Sequence, residues 1–240
     1  MVALVLLPGL DGTGLLFADF AASFGPEVKV IVAAYPTDTP LDYSELEPIA
    51  RSFLPQDQPF FLLAESFSGP IGISICASAP PGLLGLVLCC SFASNPVPAL
   101  ALSRPLLGIV PLSVLPIRLL GFFLLGRFAS PARLGALAKA LALVSAPVLR
   151  ARARAVLAVD VSGLLPMVRV PVLYLRASED RVVSRSSSDL VAAMAPQCEV
   201  VDFIAPHFLL QVSPSRVATD VTEFMKNQTD QVRLVSRGRV

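Results

Sequence analysis

Short runs of aliphatic and β-branched residues recur along the chain, and stretches with helical periodicity separate them. Most of the runs show too little alternation of apolar and polar residues for strands with one solvent face, so they predict a sheet that is covered on both sides. Because strands alternate with helices, the order of the elements predicts an α/β fold with a mostly parallel, doubly wound sheet. The predicted strands are residues 3–7, 28–34, 59–64, 83–90, 171–176 and 198–204, and the predicted helices are 43–53, 67–79, 186–195 and 214–226.

Residues 92–159 interrupt this alternation. They are rich in Leu, Ala and Pro, contain no convincing strand, and fall between two strands of the predicted sheet. This pattern predicts an inserted helical cap, with residues 1–91 and 160–227 forming one core domain, which a chain of 240 residues can build. Residues 228–240 are polar, end in a basic stretch and lack apolar periodicity, so they predict a disordered tail.

The apolar content is high, because hydrophobic residues make up 54% of the chain and charged residues only 15%. The longest apolar stretch, residues 106–126, approaches the length of a membrane span, but Pro111, Pro116 and Arg118 interrupt it. The N-terminus lacks the basic region of a signal peptide and is interpreted as a buried strand. The four cysteines form no C-x-x-C pair, and only one histidine could join them around a metal. We therefore expect a cytoplasmic protein with no transmembrane span, no disulfide framework and no metal site.

The clearest signal for chemistry lies in residues 60–72, where an apolar strand passes through a tight turn into a helix. A nucleophilic serine on such a turn needs small residues two positions before and after it, so that strand and helix can approach closely. Ala64 and Ser68 supply these positions around Ser66. Ser68 is the alternative centre, but Pro70 would then occupy a small-residue position, so Ser66 is the better candidate. Any strand-to-helix turn favours small residues, so the motif alone does not decide the function.

A glycine-rich loop, residues 8–14, follows the first predicted strand. Its three glycines permit unusual backbone angles, so the loop can direct a main-chain N–H at an oxyanion that develops during acyl transfer. We assign this role to the N–H groups of Leu10 and Phe67. A phosphate-binding loop is the alternative, but the spacing does not match G-x-G-x-x-G and no Walker lysine follows.

Two further polar segments follow predicted strands. Glu179 and Asp180 come after the strand at 171–176, at the end of a parallel sheet where functional carboxylates gather. Asp180 is the preferred acid because its position before Arg-Val-Val suits an acid loop. His207, the only histidine, follows the last predicted strand. Ser66, Asp180 and His207 thus occur in the order Ser, Asp, His, each after a strand, which is the order of the catalytic triad in hydrolases of this architecture.

With these motifs, residues 1–226 resemble the α/β-hydrolase superfamily. They are similar to small serine esterases and acyl hydrolases with a helical cap, including the pimeloyl-acyl-carrier-protein methyl ester esterases. The sequence departs from that pattern at three points. Pro8 replaces the common histidine of the oxyanion loop, Ala64 and Ser68 stand where the nucleophile turn usually has glycine, and no strand precedes the oxyanion strand. The missing strands predict a shortened sheet of about six strands.

The resemblance implies two-step acyl transfer that needs no metal or organic cofactor. His207 would take the proton of Ser66, Asp180 would orient the imidazole, and water would hydrolyse the acyl-enzyme. Small-molecule carboxylic esters with short to medium acyl chains are the expected substrates. A thioesterase, an acyl-carrier-protein methyl ester esterase and a non-catalytic α/β-hydrolase-like binding protein are the alternatives. A dehalogenase would be expected to carry aspartate at position 66.

The predicted cap has a one-sided charge pattern. It contains eight basic residues and no acidic residue, whereas the rest of the chain has 11 basic and 18 acidic residues. Such asymmetry would suit an acyl carrier protein or an anionic lipid surface, while the simpler interpretation is a solvated helical face. Nucleic acid is not an expected partner, because aromatic residues are few and no binding motif occurs. The basic residues are Arg104, Arg118, Arg127, Arg133, Lys139, Arg150, Arg152 and Arg154.

The cap also supplies the candidate substrate pocket. Residues 106–128 are rich in Leu and Phe, a composition better suited to lining an apolar acyl pocket than to facing water. We therefore expect Phe122 and Phe123 to contact the acyl chain of the substrate.

Overall fold

The computed structural model describes residues 2–97 and 116–237. At its centre is a six-stranded sheet in the order β2-β1-β3-β4-β5-β6, in which all neighbouring strands are parallel. The prediction of a mostly parallel α/β sheet of about six strands is therefore confirmed. The strands are β1 (Val2–Leu7), β2 (Val28–Val32), β3 (Phe60–Glu65), β4 (Leu83–Cys89), β5 (Val172–Ala177) and β6 (Cys198–Phe203).

Helices cover both faces of the sheet, which explains why the strands lack a polar face. On one face, Val5 and Leu7 of β1 pack with apolar residues of the helices α2 (Tyr43–Ser52), α3 (Gly69–Ala77) and α7 (Arg185–Met194). On the other face, Leu4 and Leu6 pack with α1 (Ala18–Ala21), α8 (Leu209–Val212) and α9 (Pro214–Arg237). Successive side chains of a strand point to opposite faces, so both sets of β1 residues are buried.

Among the residues that the structure describes, three α-helices lie between β4 and β5, within the interval predicted for the cap. They are α4 (Ile117–Leu124), α5 (Pro131–Ala142) and α6 (Ala146–Ala158). An antiparallel bridge between Ser94 and Asp160 joins the two ends of this segment, so the chain leaves and re-enters the core at one place. Arg104 and residues 106–115 of the apolar stretch lie outside the described residues. Within the described ranges, no single helix is long and apolar enough to cross a membrane, although α5 and α6, bent by 101°, pass that test as a pair.

The last helix is longer than predicted. Residues 228–237 are helical, where the sequence predicted a disordered tail. The first half of α9 is held in the core through residues such as Val217 and Val221. Once a helix has nucleated, each added residue gains a backbone hydrogen bond, so a polar segment extends it without packing of its own.

The strand order places a topological switch between β1 and β3. The chain passes from β1 to β2 at one edge of the sheet and then, from β3 onward, toward the other edge. Ligand sites of open parallel sheets form at the carboxyl ends of such strands. At this end Leu7 is paired with Ala64, so residues 8–14 and the turn at Ser66 emerge side by side.

Candidate active site

Ser66 lies on a sharp turn between β3 and α3. Its φ of 47° is in the left-handed region, which a residue with a Cβ rarely adopts. The turn is held because the Ser91 hydroxyl donates to the Ser66 carbonyl oxygen over 2.6 Å. The strand and helix are also in close contact, since a Cβ at Gly72 would lie 2.8 Å from the Cβ of Ala64. The small residues of the motif thus permit the backbone geometry that exposes a nucleophile at a strand end.

The three predicted triad residues are brought together by the ends of β3, β5 and β6. The Oγ of Ser66 lies 2.8 Å from Nε2 of His207. The Nδ1 of His207 lies 2.8 Å from Oδ2 of Asp180, and the N–H groups of Val182 and Val183 donate to the other carboxylate oxygen. With Nδ1–H donating to Asp180, Nε2 is the acceptor for the Ser66 hydroxyl.

Glu179 faces away from this chain of hydrogen bonds. Its carboxylate accepts from the guanidinium of Arg127, which lies between α4 and α5, with Nε 3.0 Å from Oε2. Asp180 is therefore the carboxylate that contacts His207, as the sequence analysis proposed.

The electrostatic surroundings of His207 favour its protonated form. Burial lowers the pKa of His207. The carboxylate of Asp180 and, more weakly, that of Glu65 raise this pKa by more than burial lowers it, so the net direction is upward. A histidine with a raised pKa is a stronger base for the Ser66 proton, but it is also protonated at a higher pH.

Glu65, directly before Ser66, is a buried carboxyl that the sequence motifs do not single out. Burial raises its pKa to about 7, although the Gln211 amide donates to it over 2.9 Å. The Gly9 N–H also forms a hydrogen bond with this carboxyl. Glu65 thus joins the glycine-rich loop to the segment after His207. The available signal was an acidic residue at the end of a strand that is otherwise fully apolar.

The predicted oxyanion donors lie in the loop after β1 and in the turn after β3. Among the described residues, no hydrogen-bond acceptor is found for the N–H of Leu10 or of Phe67. The Phe67 carbonyl accepts from the Tyr43 hydroxyl over 3.0 Å, which holds the turn on its other side. A donor without an acceptor in the protein is what an oxyanion site requires, and the assignment of Leu10 and Phe67 to that role stays a prediction.

Arg152 fits neither the solvated helical face nor the partner surface that the sequence suggested for the basic residues of 92–159, because it is buried. Its side chain is 1% exposed and donates to carbonyl oxygens of the glycine-rich loop. Arg154 is exposed and Arg150 is half-buried. Positions two apart on a helix point in different directions, so one of these arginines faces the core while another faces water.

Helix α4 lies against the loops that carry Asp180 and His207. The Phe208 N–H donates to the Leu124 carbonyl over 3.0 Å, and the Arg181 guanidinium donates to the Phe122 carbonyl and covers the Phe122 ring at 4.4 Å. Phe122 and Phe123 are 55% and 45% exposed. The described residues therefore do not enclose these two rings, and their role in a substrate pocket stays a prediction.

One group of possible metal ligands overlaps the triad. Ligand atoms of Cys90, Asp180 and His207 all lie within 4.8 Å of one another. However, both ring nitrogens of His207 already have hydrogen-bond partners. A hydrogen bond with Cys89 lowers the pKa of Cys90, but burial and nearby carboxylates raise it by more, which disfavours the thiolate that a metal would need. The arrangement suits proton transfer to His207 better than metal binding.

Comparisons with known proteins bear on the fold. No family model matches the chain, and no curated protein matches it in sequence. An enol-lactonase from Burkholderia xenovorans has a TM-score of 0.81 at 15% identity, over 93% of this chain and 91% of that chain. A thermophilic esterase from Thermogutta terrifontis has a TM-score of 0.77 at 19% identity, over 95% of this chain and 89% of the esterase. An esterase from Exiguobacterium antarcticum has a TM-score of 0.76 at 14% identity, over 94% of this chain and 92% of the esterase. The chain has the α/β-hydrolase fold.

Proposed function

We propose that the protein is a serine-dependent carboxylic ester hydrolase with Ser66, His207 and Asp180 as its catalytic residues. The observation that carries this proposal is the continuous hydrogen-bonded chain from Ser66 Oγ through His207 to Asp180, with 2.8 Å at each step. The hydrogen-bonded chain begins at Ser66, which has a strained backbone on a strand-to-helix turn. Strain of this kind persists only where the surrounding structure holds it, and it clusters at active sites.

The reaction follows from the positions of these groups. His207 Nε2 accepts the Ser66 proton while Oγ attacks the ester carbonyl carbon, and the carbonyl oxygen becomes an oxyanion that accepts from the N–H groups of Leu10 and Phe67. The imidazolium, stabilised by Asp180, then donates its proton to the alkoxy oxygen of the ester. The bond from this oxygen to the carbonyl carbon breaks, the alcohol departs, and Ser66 remains acylated. A water molecule repeats the attack with His207 as base, releasing the carboxylic acid and restoring Ser66.

Carboxylic esters with short to medium acyl chains are the proposed substrates. The structures with the same fold include two esterases and an enol-lactonase, and a lactone is a cyclic carboxylic ester. A thioesterase would use the same groups and is the nearest alternative. A non-catalytic binding protein is less favoured, because binding alone would not require a strained serine hydrogen-bonded to a buried His–Asp pair.

The test combines covalent labelling with turnover. A fluorophosphonate probe should label the wild-type protein, and p-nitrophenyl esters from acetate to decanoate should be hydrolysed. Ser66→Ala should abolish both while the circular dichroism spectrum stays unchanged. Ser74→Ala is the matched control, because Ser74 lies farther along α3 and donates to Glu47. Acyl thioesters tested in parallel separate the two substrate classes. Hydrolysis that survives in Ser66→Ala, or a folded wild-type protein that is neither labelled nor active, would disprove the proposal.

A further inference from the structure

The Arg152 side chain connects the cap to the two loops that emerge beside the active site. It extends from α6 into the core, where Nη1 donates to the carbonyl oxygens of Leu10 at 2.9 Å and Asp11 at 2.7 Å. Nη2 donates to the carbonyl oxygen of Pro36, at 2.8 Å, in the loop after β2. One buried guanidinium therefore binds three main-chain oxygens from two loops.

The carbonyl oxygens at positions 8–12 of the glycine-rich loop are all held by hydrogen bonds. Pro8 accepts from the Ser68 hydroxyl, Gly9 from the Gly12 N–H at 3.0 Å, and Gly12 from the Tyr35 N–H at 2.7 Å. The two oxygens in between, those of residues 10 and 11, are the pair that Arg152 holds. The conformation of the loop thus depends on a residue of the cap.

The orientation of the Leu10 N–H follows from these bonds. A trans peptide unit is planar, with its C=O and N–H pointing in opposite directions. Because the Gly9 carbonyl is turned toward the Gly12 N–H, the Leu10 N–H of the same peptide unit points away from the loop interior. Arg152 holds the next two peptide units, so its bonds restrict the displacements of the loop that would reorient this N–H.

The loop and the guanidinium are also matched in shape. Gly12 has a φ of +69°, and a Cβ at this position would lie 2.4 Å from Nη1 of Arg152. Burial lowers the pKa of Arg152, while Asp11 and Tyr35 oppose that change. Burying a cation is costly unless its hydrogen bonds compensate, and here they all go to the main chain of two loops. The hydrogen bonds of Arg152 therefore stabilise the conformation of these two loops.

We infer that Arg152 is a positioning residue for ester hydrolysis: it holds the glycine-rich loop so that the Leu10 N–H can donate to the oxyanion. The inference rests on the function proposed for Ser66. Helix α6 thereby contributes to the chemical step, because a donor must be fixed in place before charge develops if it is to stabilise the transition state.

The experiment compares Arg152→Met, which keeps apolar volume but removes the guanidinium, with Arg152→Lys and Arg154→Met. Arg154 is the matched control, since it lies on the same helix and is exposed. For each folded variant, kcat and KM are measured with p-nitrophenyl butyrate, per site titrated by a fluorophosphonate. The affinity of an alkyl trifluoromethyl ketone is measured as well, because this compound forms a tetrahedral, oxyanion-bearing adduct with a serine nucleophile.

Arg152→Met should lower kcat about 10- to 100-fold with little change in KM, somewhat less than the loss of an oxyanion donor itself. Ketone affinity should fall by a similar factor. Arg152→Lys should recover part of both, and Arg154→Met should equal the wild type. A purely structural residue would lower thermal stability without changing kcat per titrated site or ketone affinity.

The possible failures are distinguishable. If Ser66→Ala is inactive but folded Arg152→Met keeps wild-type kcat and ketone affinity, or changes only KM, then this inference is wrong and the proposed function stands. If Arg152→Met does not fold, the same comparison is made with Arg152→Lys, and wild-type values in that variant refute the inference. If the wild type has no esterase activity, or Ser66→Ala retains it, the proposed function itself fails.

Discussion

At the scale of single residues, the reactivity of Ser66 depends on its partners, because a serine hydroxyl is a weak nucleophile until a base removes its proton. His207 is that base in the proposed mechanism, and Asp180 holds its Nδ1–H. Glu179, one position away, pairs instead with Arg127 at the surface. Two neighbouring acids thus have different surroundings and should have different importance.

Replacing these residues should separate their roles. We expect His207→Ala and Asp180→Asn each to lower kcat by about 10³- to 10⁴-fold, because the first removes the base and the second favours the wrong tautomer. Glu179→Gln should change kcat less than about threefold, since exposed ion pairs contribute little. Steady-state kinetics with p-nitrophenyl butyrate give the comparison. Should Glu179→Gln prove the more damaging acid replacement, the assignment of Asp180 is wrong.

Glu65 should shift the pH dependence of catalysis. A negative charge at Glu65 raises the pKa of His207, so the Glu65→Gln variant should have a His207 that protonates at lower pH. The acid limb of kcat/KM, which reports this protonation in the free enzyme, should therefore move to lower pH in the variant. The measurement is a kcat/KM profile from about pH 5 to pH 9. An acid limb that stays in place or moves upward contradicts the expected coupling.

The same carboxyl should make the folded protein less stable at higher pH. Burial raises the pKa of Glu65 from 4.5 to about 7, so between these values the folded state binds more protons than the unfolded state. Stability contributed at this site therefore falls as the pH rises through that window, by up to about 3 kcal/mol. Glu65→Gln should remove this loss. The free energy of unfolding in urea is measured for the wild type and for Glu65→Gln at pH 5 and pH 7.5. An equal change between the two pH values in both proteins would refute this prediction.

At the scale of elements, the glycine-rich loop and α6 act as one unit, because Gly12 leaves space that the Arg152 guanidinium occupies. Gly12→Ala should lower kcat about 10-fold or more, since the added methyl meets the guanidinium and the residue must adopt a positive φ. Gly163→Ala is a control, because a Cβ there meets no atom within 4 Å. Kinetics per titrated site give the result. Wild-type kcat in a folded Gly12→Ala protein would show that the loop tolerates displacement of Arg152.

At the scale of the whole molecule, the tertiary structure divides the basic residues of the predicted cap into different groups. Arg152 is buried, Arg127 pairs with Glu179, and the Arg133 guanidinium donates to the carbonyl oxygens of Phe128 and Gln211. Of the arginines on α6, Arg150 and Arg154 reach solvent. An anionic partner, such as an acyl carrier protein or a lipid surface, would therefore meet a smaller cationic surface than the sequence suggests.

Reversing the charge of Arg150 and Arg154 together tests that surface. If an acyl carrier protein is the natural partner, the double Glu variant should lower kcat/KM for its ester about 10-fold, and raised salt should reduce the wild-type advantage. Hydrolysis of p-nitrophenyl butyrate should be nearly unchanged and serves as the internal control. Equal losses on both substrates would mean that the cap itself was disturbed, whereas no loss on either would leave these arginines as a solvated face.

The local pattern of the sequence predicted the six strands, the four helices α2, α3, α7 and α9, and the order of Ser66, Asp180 and His207. Each of these features is encoded in neighbouring residues: apolar runs, small residues around the turn, and polar groups directly after strands. The tertiary contacts in the described structure decided the rest. The pairing of Glu179 with Arg127, the burial of Arg152 beside exposed Arg154, and the joining of Glu65 to the glycine-rich loop and to α8 all depend on residues far apart in the chain. Such contacts form only when the sheet brings the ends of its strands together, and no local pattern records them.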